Sequence, residues 1–395
     1  MPEVRENAIP ADADLRSSLS LSEILQVIGY DAIENALGHT DRSKRRMRDF
    51  PDHLVMMYGI TMGLHMSESY GHALDYLRES LGWLSDGNFT VKEVSDAAIV
   101  QARDRVGNIP FERLLRSVAQ PIDPNNEALC YRGMPLYVVD GSVFDVPDSK
   151  ANEAIFGRPN SKQGQGAYPQ VRCVALIQMR TRVCTDFEFG SVSTSTELGL
   201  AKLIFPRLPK GCLLVMDRLY PGYTNCQQII AAGAHFLMRV KKDIKLKLEE
   251  KLPDGSYLAS LSEYDENARP TGVKLTVRVI QYQLAGGQET YRLITDILDP
   301  TLAPADELAA LYPSRWNVES FYAELKLVLR QPRIVLRSRS PHLVIQELYG
   351  LLTTHYAVRT LMYHAARRLN VSPTSLSFKH SVHVVKTTRP GDFSP

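Results

Sequence analysis

Hydrophobic residues recur at helical spacing through the first third of the chain. Residues 18–39, 52–80 and 95–119 carry apolar side chains three and four positions apart. The longest apolar run, 53–66, contains Gly and His and is too short to cross a bilayer, so it predicts a buried helix. The pattern therefore predicts an all-helical N-terminal domain over residues 1–130.

From about residue 131 the pattern changes to short apolar runs punctuated by Gly and Pro. These runs predict five strands, at 135–140, 171–180, 184–190, 212–217 and 291–297. Helices are predicted after the third, fourth and fifth strands, at 196–208, 223–233 and 314–329. This order of elements is that of an RNase H-like core. In that α/β topology the first and fourth strands are neighbours, so Asp140 and Asp217, which end them, should meet.

The core is predicted to be interrupted. Residues 239–290 show strand-like alternation separated by turns at PDGS and GG, which indicates a β-rich insertion. The predicted core then comprises residues 131–238 and 291–372, the second part ending in a long helical stretch, and 373–395 form a loose polar tail. The predicted fold is a mixed five-stranded sheet with flanking helices, this insertion and the helical N-terminal domain.

Composition narrows the class of protein only a little. The chain has 395 residues, 44% hydrophobic and 23% charged, as in a soluble globular protein of two or three domains. Its N-terminus lacks the apolar segment of a secretory signal. The five cysteines form no CxxC pair and no zinc spacing, so we expect buried thiols in a reducing cytosol. Because the longest apolar run is too short to cross a bilayer, we expect no membrane partner.

The net charge of +2 does not by itself indicate nucleic acid, so DNA binding would depend on local clusters. One such cluster lies in DRSKRRMRDF and consists of Arg42, Lys44, Arg45, Arg46 and Arg48. It is either a solvated charge run or a contact to the DNA backbone, because phosphates attract clustered cations.

A second candidate lies in YPSRWNVESFYAELKLVLR, residues 312–330. If this segment is one α-helix, four polar residues fall within an arc of roughly 60°: Tyr312, Arg315, Glu319 and Lys326. Apolar residues occupy the opposite side, as in an ordinary amphipathic helix. In such a set the carboxylate could bind a metal ion while the Arg, Lys and Tyr side chains bind phosphates.

Three carboxylates come from three predicted elements. Asp140 and Asp217 end strands, and Glu319 lies on the helix after the fifth strand. Each has an ordinary alternative, a turn, a cap or a solvated side chain, and Asp145 and Asp148 lie close by in sequence. Together, such hard oxygen ligands suit Mg²⁺ or Mn²⁺, two of which can catalyse in-line displacement at a phosphodiester.

These motifs resemble the prokaryotic DDE transposases of insertion sequences that carry a Tyr-Arg-Glu-Lys signature, the insertion-sequence-four family. The signature Y-x2-R-x3-E-x6-K is matched at every gap by Tyr312, Arg315, Glu319 and Lys326. YVVDGS matches the family's D-G-(T/S) motif, and VMDRLY matches its D-R-x-(Y/F) motif. The resemblance covers about residues 20–370.

The resemblance implies roles for these residues. Asp140, Asp217 and Glu319 would bind two Mg²⁺ or Mn²⁺ ions, and Tyr312, Arg315 and Lys326 would contact phosphates at the element's end. It also implies cut-and-paste transposition through a hairpin intermediate, by a homodimer that bridges two terminal inverted repeats and then attacks target DNA. The N-terminal helices would bind the inverted repeats, in a bacterial, nucleoid-associated cytoplasmic setting.

One departure concerns the aromatic residue that relatives use to stack on a flipped base. Relatives carry a Trp in or near the insertion, whereas this chain has only Trp83 and Trp316. Tyr257, Tyr264 or Tyr282 would have to replace it, because base stacking tolerates different aromatic rings.

Two other functions fit the same fold. A domesticated DNA-binding protein would keep the core without the chemistry, although the intact triad and signature argue against it. An RNase H-like nuclease would cut without joining strands, although the Tyr-Arg-Lys residues and the insertion argue against that.

Overall fold

A computed structural model describes residues 21–38, 49–84, 91–161, 164–283, 290–331 and 335–387. Within these ranges six α-helices precede the first strand: α1 Leu21–Ile28, α2 Tyr30–Leu37, α3 Asp52–Leu64, α4 Tyr70–Leu84, α5 Asp96–Val106 and α6 Ile109–Val118. The prediction of helices in the first third is confirmed. Every residue of α3 from Leu54 to Leu64 is buried, as its unbroken apolar pattern predicts.

The remaining elements alternate between strands and helices. The strands are β1 Cys130–Tyr131, β2 Met134–Asp145, β3 Asn160–Ser161, β4 Gly164–Gln165, β5 Gln170–Gln178, β6 Val183–Ser191, β7 Leu213–Met216, β8 His235–Arg239, β9 Glu250–Lys251, β10 Tyr257–Tyr264, β11 Pro270–Gln283 and β12 Thr290–Thr295. The helices are α7 Lys150–Phe156, α8 Glu197–Ile204, α9 Tyr223–Ala231, α10 Ala305–Leu311, α11 Asn317–Ala323, α12 Pro341–Leu369 and α13 Phe378–Thr387.

One large mixed sheet organises the chain. Its strand order is β6-β5-β2-β7-β8-β12-β11-β10-β9, with β1 paired to β2 off this path. β2, β7 and β8 run parallel, whereas β5 and β6 add antiparallel neighbours on the other side of β2. The prediction that the strands carrying Asp140 and Asp217 lie side by side is therefore confirmed.

The predicted strand at 291–297 is present in the sheet as β12, but it does not lie next to β7. The strand parallel to β7 is β8, whereas the predicted 291–297 segment forms β12, which pairs antiparallel to the outer edge of β8. β8 has only five residues, and its apolar core of Phe236, Leu237 and Met238 is followed at once by a charged run. So short a run shows neither helical nor strand periodicity, and β8 is therefore not among the predicted strands.

Strands β9, β10 and β11 lie in the predicted insertion, and they extend the same sheet beyond β12. The sheet is therefore wider than the five strands expected. β10 and β11 share an apolar core with α9 through Ala259, Val277 and Val279.

The N-terminal helices share an apolar core with one face of the sheet and the C-terminal helices. α3 crosses α12 at glycines: a Cβ atom on Gly350 would lie 2.5 Å from the carbonyl oxygen of Gly59, and one on Gly63 would lie 2.7 Å from that of Gly350. The prediction of a loose tail from residue 373 is wrong over α13, where Phe378, Val382 and Val385 are buried in this core.

Two further predictions about local structure are corrected. β2 does not end at Asp140 but continues to Asp145, because residues 140–145 stay paired with β5. The segment 312–329 is not one α-helix: it is a 3₁₀ turn over Tyr312–Trp316, then α11, then a π-helix over Glu324–Leu329. No helix in the described ranges is long and apolar enough to cross a membrane.

Candidate active site

Asp140 lies where the sheet divides. The pairing of β2 with β7 ends at Val138 and Val215, while its pairing with β5 continues. Past Val138 one edge of β2 therefore has no strand beside it, and Asp140 lies at this opening. Asp217 directly follows β7 at the same level, and its Oδ1 accepts a hydrogen bond from the amide of Leu219 at 2.7 Å.

Arg315 connects Asp140 to Glu319. Its Nη1 lies 3.6 Å from Asp140 Oδ2, and its Nη2 lies 3.3 Å from Glu319 Oε1. The Arg315 side chain is only 13% exposed, while that of Glu319 is 50% exposed. The structure thus brings a strand carboxylate and a helix carboxylate to two nitrogens of one half-buried guanidinium.

The electrostatics of Asp140 are unusual for a carboxyl group. Burial raises the pKa of Asp140 to about 7, and the negative charges of Glu197 and Asp217 act in the same direction. The amide of Gly141 and the guanidinium of Arg315 oppose this rise. Burial is thus the main reason why the ionised form of Asp140 is disfavoured, and a bound cation would stabilise that form.

Lys326 contacts the third residue of the D-G-S motif. Its Nζ donates to Ser142 Oγ at 2.6 Å and lies 5.1 Å from the centre of the Phe144 ring. Burial and the charge of Arg330 lower the pKa of Lys326. The ammonium group of Lys326 thus contacts β2 two residues beyond Asp140.

Tyr322 fixes the helix to the strand, a role that sequence reasoning missed. Its buried hydroxyl donates to the carbonyl oxygen of Asp140 at 2.9 Å and to that of Cys173 at 3.3 Å. Tyr322 is one turn beyond Glu319 on α11. This contact therefore sets the spacing between the elements that carry Asp140 and Glu319.

The predicted polar strip is only partly present. Arg315 and Lys326 reach the site, but Tyr312 is 7% exposed and packs in an apolar cluster with Leu136 and Leu311. The prediction assumed 100° per residue throughout, whereas a 3₁₀ turn advances about 120° per residue and a π-helix less than an α-helix. The predicted apolar side is confirmed by the burial of Val318, Phe321, Leu325 and Leu329.

A buried ionic network holds the π-helix, and no sequence signal marked it. Glu324 accepts from Arg359 through both carboxylate oxygens, from His355 at 2.9 Å and from Arg182 at 3.2 Å. Burial alone would raise the pKa of Glu324, but His355 and Arg359 hold it below its usual range. The network anchors the segment between Glu319 and Lys326 to α12.

A cationic cavity of about 400 Å³ has Arg218, the residue after Asp217, in its lining. It is lined by Arg218, Arg239, Val240, Lys241, Lys242, Asp243, Thr290, Tyr291 and Arg292. The guanidinium carbon of Arg239 lies 4.4 Å from the centre of the Tyr291 ring, and Arg292 donates to the carbonyl oxygens of Lys241 and Lys242. These residues come from both predicted parts of the core and from the predicted insertion, so no single sequence pattern indicates the cavity.

The remaining predicted residues have simpler positions. Asp145 accepts from Gln170, and Asp148 pairs with Arg158, so both act away from Asp140. The basic cluster Arg42, Lys44, Arg45, Arg46 and Arg48 lies outside the described residues. The cysteines are free thiols, all buried except the partly exposed Cys130.

The three candidate aromatic residues differ in exposure. Tyr257 and Tyr264 are the first and last residues of β10, and the first is buried while the second is 62% exposed. The ring of Tyr282 lies 5.5 Å from that of Tyr291, which lines the cationic cavity.

The donor set fits a hard divalent cation, although the described residues include no group of three His, Cys, Asp or Glu side chains already arranged around one. Asp140, Asp217 and Glu319 supply carboxylate oxygens, which Mg²⁺ and Mn²⁺ prefer. The guanidinium of Arg315 contacts two of these carboxylates, Asp140 and Glu319.

Comparison with known proteins identifies the class. The family described as "Transposase DDE domain" matches residues 131–356, and "Insertion element 4 transposase N-terminal" matches residues 18–116. The transposase InsG for insertion sequence element IS4 of Escherichia coli (strain K12) is 27% identical over 371 residues, 92% of this chain and 82% of InsG. The InsZ protein of the same strain is 30% identical over 172 residues, 42% of this chain and 56% of InsZ.

Among solved structures, a piggyBac transposase synaptic complex with hairpin DNA covers 93% of this chain and 78% of that chain. Its sequence identity to this chain is 10% and its TM-score is 0.44. The family matches define an enzyme, a transposase. The chain belongs to the DDE-domain transposases, with an N-terminal region of the insertion element 4 type.

Proposed function

We propose that this transposase moves its element by cut and paste, with strand cleavage and strand transfer at Asp140, Asp217 and Glu319. The observation that carries the proposal is the contact of Arg315 with both Asp140 and Glu319, beside the strand that leads into Asp217. On this proposal, residues far apart in the chain supply three carboxylates to one opening of the sheet.

The core is proposed to be RNase H-like. Taken in chain order, β2, β5, β6, β7 and β8 stand in the sheet as 3-2-1-4-5, with the second strand antiparallel to the first. This order supports the assignment, and it places the ends of the first and fourth strands together.

Asp140, Asp217 and Glu319 are the residues proposed to hold two Mg²⁺ or Mn²⁺ ions. When bound, such ions would supply Lewis-acid activation of the attacking oxygen and stabilisation of the leaving oxygen. The chain's own contribution is to position the ligands: Tyr322 fixes Glu319 relative to β2, and Gly141 donates its amide to Asp140 at 2.8 Å.

Arg315 and Lys326 are proposed to bind phosphates at the end of the element. Arg315 offers a planar donor set that suits phosphate oxygens, and Lys326 offers a point charge two residues along β2 from Asp140. Tyr312, because it is buried, is proposed to support this segment by packing.

DNA is proposed to extend from this site along the cationic cavity. Five cationic residues line the cavity: Arg218, Arg239, Lys241, Lys242 and Arg292. Of the three candidate tyrosines, Tyr282 packs against Tyr291 in the cavity wall, so it is the one proposed to stack on a displaced base. The basic cluster at 42–48 is proposed to contact the DNA backbone. A homodimer is proposed to bridge two terminal inverted repeats, to cut through a hairpin intermediate and then to attack target DNA.

An excision assay tests the proposal. A plasmid carrying the element with both flanks is incubated with Mg²⁺ and wild type, Asp140→Ala, Glu319→Ala or Glu266→Ala. Glu266 is an exposed carboxylate in the turn after β10 and serves as the matched control. We expect wild type and the control to release the element, and the two site variants to bind its ends without cutting.

Three outcomes would contradict parts of this proposal. Normal excision by Glu319→Ala would remove that residue from the reaction. End binding without cutting by wild type would favour a domesticated binder. Cutting with accumulation of free 3′-OH ends and no joining would favour a nuclease.

A further inference from the structure

Glu197 is a fourth carboxylate at the opening beside Asp140. It is the first residue of α8, where Thr196 caps the helix by accepting from the amide of Gly199 at 3.0 Å. In sequence it looks like an acidic residue that stabilises a helix N-terminus. In the structure its side chain instead lies over β2, against the backbone at Gly141.

Gly141 makes room for Glu197. A Cβ atom at position 141 would lie 2.6 Å from Cγ, Cδ and Oε2 of Glu197, far inside contact distance. Gly141 has no positive φ, so its backbone conformation does not require glycine. Glycine is therefore needed at position 141 for space, because the Glu197 carboxylate packs against the backbone there, next to Asp140.

Tyr220 fixes the orientation of this carboxylate. Its ring is fully buried, and its hydroxyl donates to Glu197 Oε1 at 2.9 Å. Tyr220 also belongs to the turn after Asp217, because its amide donates to the carbonyl oxygen of Asp217 at 3.4 Å. No hydrogen bond or ion pair from any described residue reaches Glu197 Oε2, which lies towards β2.

We propose that Glu197 contributes to divalent-cation binding at this site through Oε2, with Tyr220 as the residue that positions it and Gly141 as the gap that admits it. The inference rests on the proposed function, since the cation is the one assigned to Asp140 and Asp217. The proposal also explains why the D-G-S motif has Gly141 after Asp140 and why the D-R-L-Y motif has Tyr220 three positions after Asp217.

The test is Mn²⁺ binding to the full-length protein without DNA, measured as the loss of the free Mn²⁺ signal in electron paramagnetic resonance. The variants are Glu197→Gln, Tyr220→Phe and Asp140→Asn, with Glu266→Gln as the matched control. Glu197→Gln keeps the size of the side chain and an oxygen for the Tyr220 hydroxyl. We expect it to lower Mn²⁺ affinity about 10- to 100-fold, with an unchanged melting temperature in EDTA.

Tyr220→Phe keeps all the charges and removes only the orienting hydrogen bond. We expect it to weaken Mn²⁺ binding less than Glu197→Gln, which a purely structural role of Glu197 would not predict. The combination Tyr220→Phe with Glu197→Gln should bind no more weakly than Glu197→Gln alone, because the tyrosine acts through the glutamate.

The outcomes separate this inference from the proposed function. Mn²⁺ binding that is lost in Asp140→Asn but unchanged in Glu197→Gln would overturn the role of Glu197 and leave the proposed function standing. Absence of Mn²⁺ binding by wild type would overturn both.

Discussion

Replacing Asp140 by Asn should raise the thermal stability of the metal-free protein, although it removes a residue of the proposed active site. Burial, with the charges of Glu197 and Asp217, raises the pKa of Asp140 from 3.8 to about 7. Between these pH values the folded protein holds a proton that the unfolded chain releases. The free energy of unfolding therefore falls as pH rises from about 4 to about 7, and the whole destabilisation is present above pH 7.

The size of the effect follows from the same values. A difference of about three in pKa corresponds to an upper limit of about 4 kcal/mol. The Asp140 side chain is 22% exposed, so solvent reduces the effect. With an effective dielectric constant of about 20 we expect Asp140→Asn to raise the free energy of unfolding above pH 7 by ~1–3 kcal/mol. For 395 residues an unfolding entropy of about 2.1 cal/mol/K per residue sums to about 0.8 kcal/mol/K, which corresponds to a rise of about 1–4 °C in Tm.

Differential scanning calorimetry in EDTA provides the assay, with Glu266→Gln as the control. Asp140→Asn should melt above wild type at pH 8, and by a smaller margin at pH 5. Added Mg²⁺ should then stabilise wild type more than the variant, because only wild type keeps the full ligand set. A variant that melts below wild type at pH 8, or a gain that grows towards pH 5, would refute the electrostatic reasoning.

Two further predictions concern buried charge. Glu324→Gln leaves the guanidinium of Arg359, which is 1% exposed, without its carboxylate partner. This should lower the free energy of unfolding by about 3–5 kcal/mol and Tm in calorimetry by about 4–6 °C. An unchanged Tm would show that the network contributes little to stability. Arg315→Ala removes the positive charge beside Asp140 and should raise Mn²⁺ affinity without DNA roughly tenfold while abolishing excision. Weaker Mn²⁺ binding by Arg315→Ala in electron paramagnetic resonance would contradict this account.

Much of the fold was predictable because its signals are local. The change from helical spacing to short apolar runs near residue 131 separates the N-terminal helices from the sheet. The order of those runs predicts that the strands carrying Asp140 and Asp217 are neighbours, as they are. The spacing of Val318, Phe321, Leu325 and Leu329 predicts which side of their segment is buried.

The misses arose where a local pattern is too short or irregular to carry a period. β8 has five residues, so its apolar run shows no periodicity and does not predict a strand there. The 3₁₀ and π turns around α11 break the regular angular spacing, so Tyr312 is buried and does not join Arg315 in the polar strip. α13 was missed because its buried residues, among them Phe378 and Val382, are interspersed with polar ones.

The sequence by itself determined the family-specific motifs, the succession of strands and helices and the identity of the candidate carboxylates, because these depend on residue type and short-range spacing. Only the tertiary structure decided that Arg315 lies between Asp140 and Glu319, that Glu197 occupies the space left by Gly141, and that cations from β8 and β12 line one cavity. The physical reason is that hydrophobic periodicity specifies which side of each element is buried, whereas the meeting of polar side chains depends on how the elements pack.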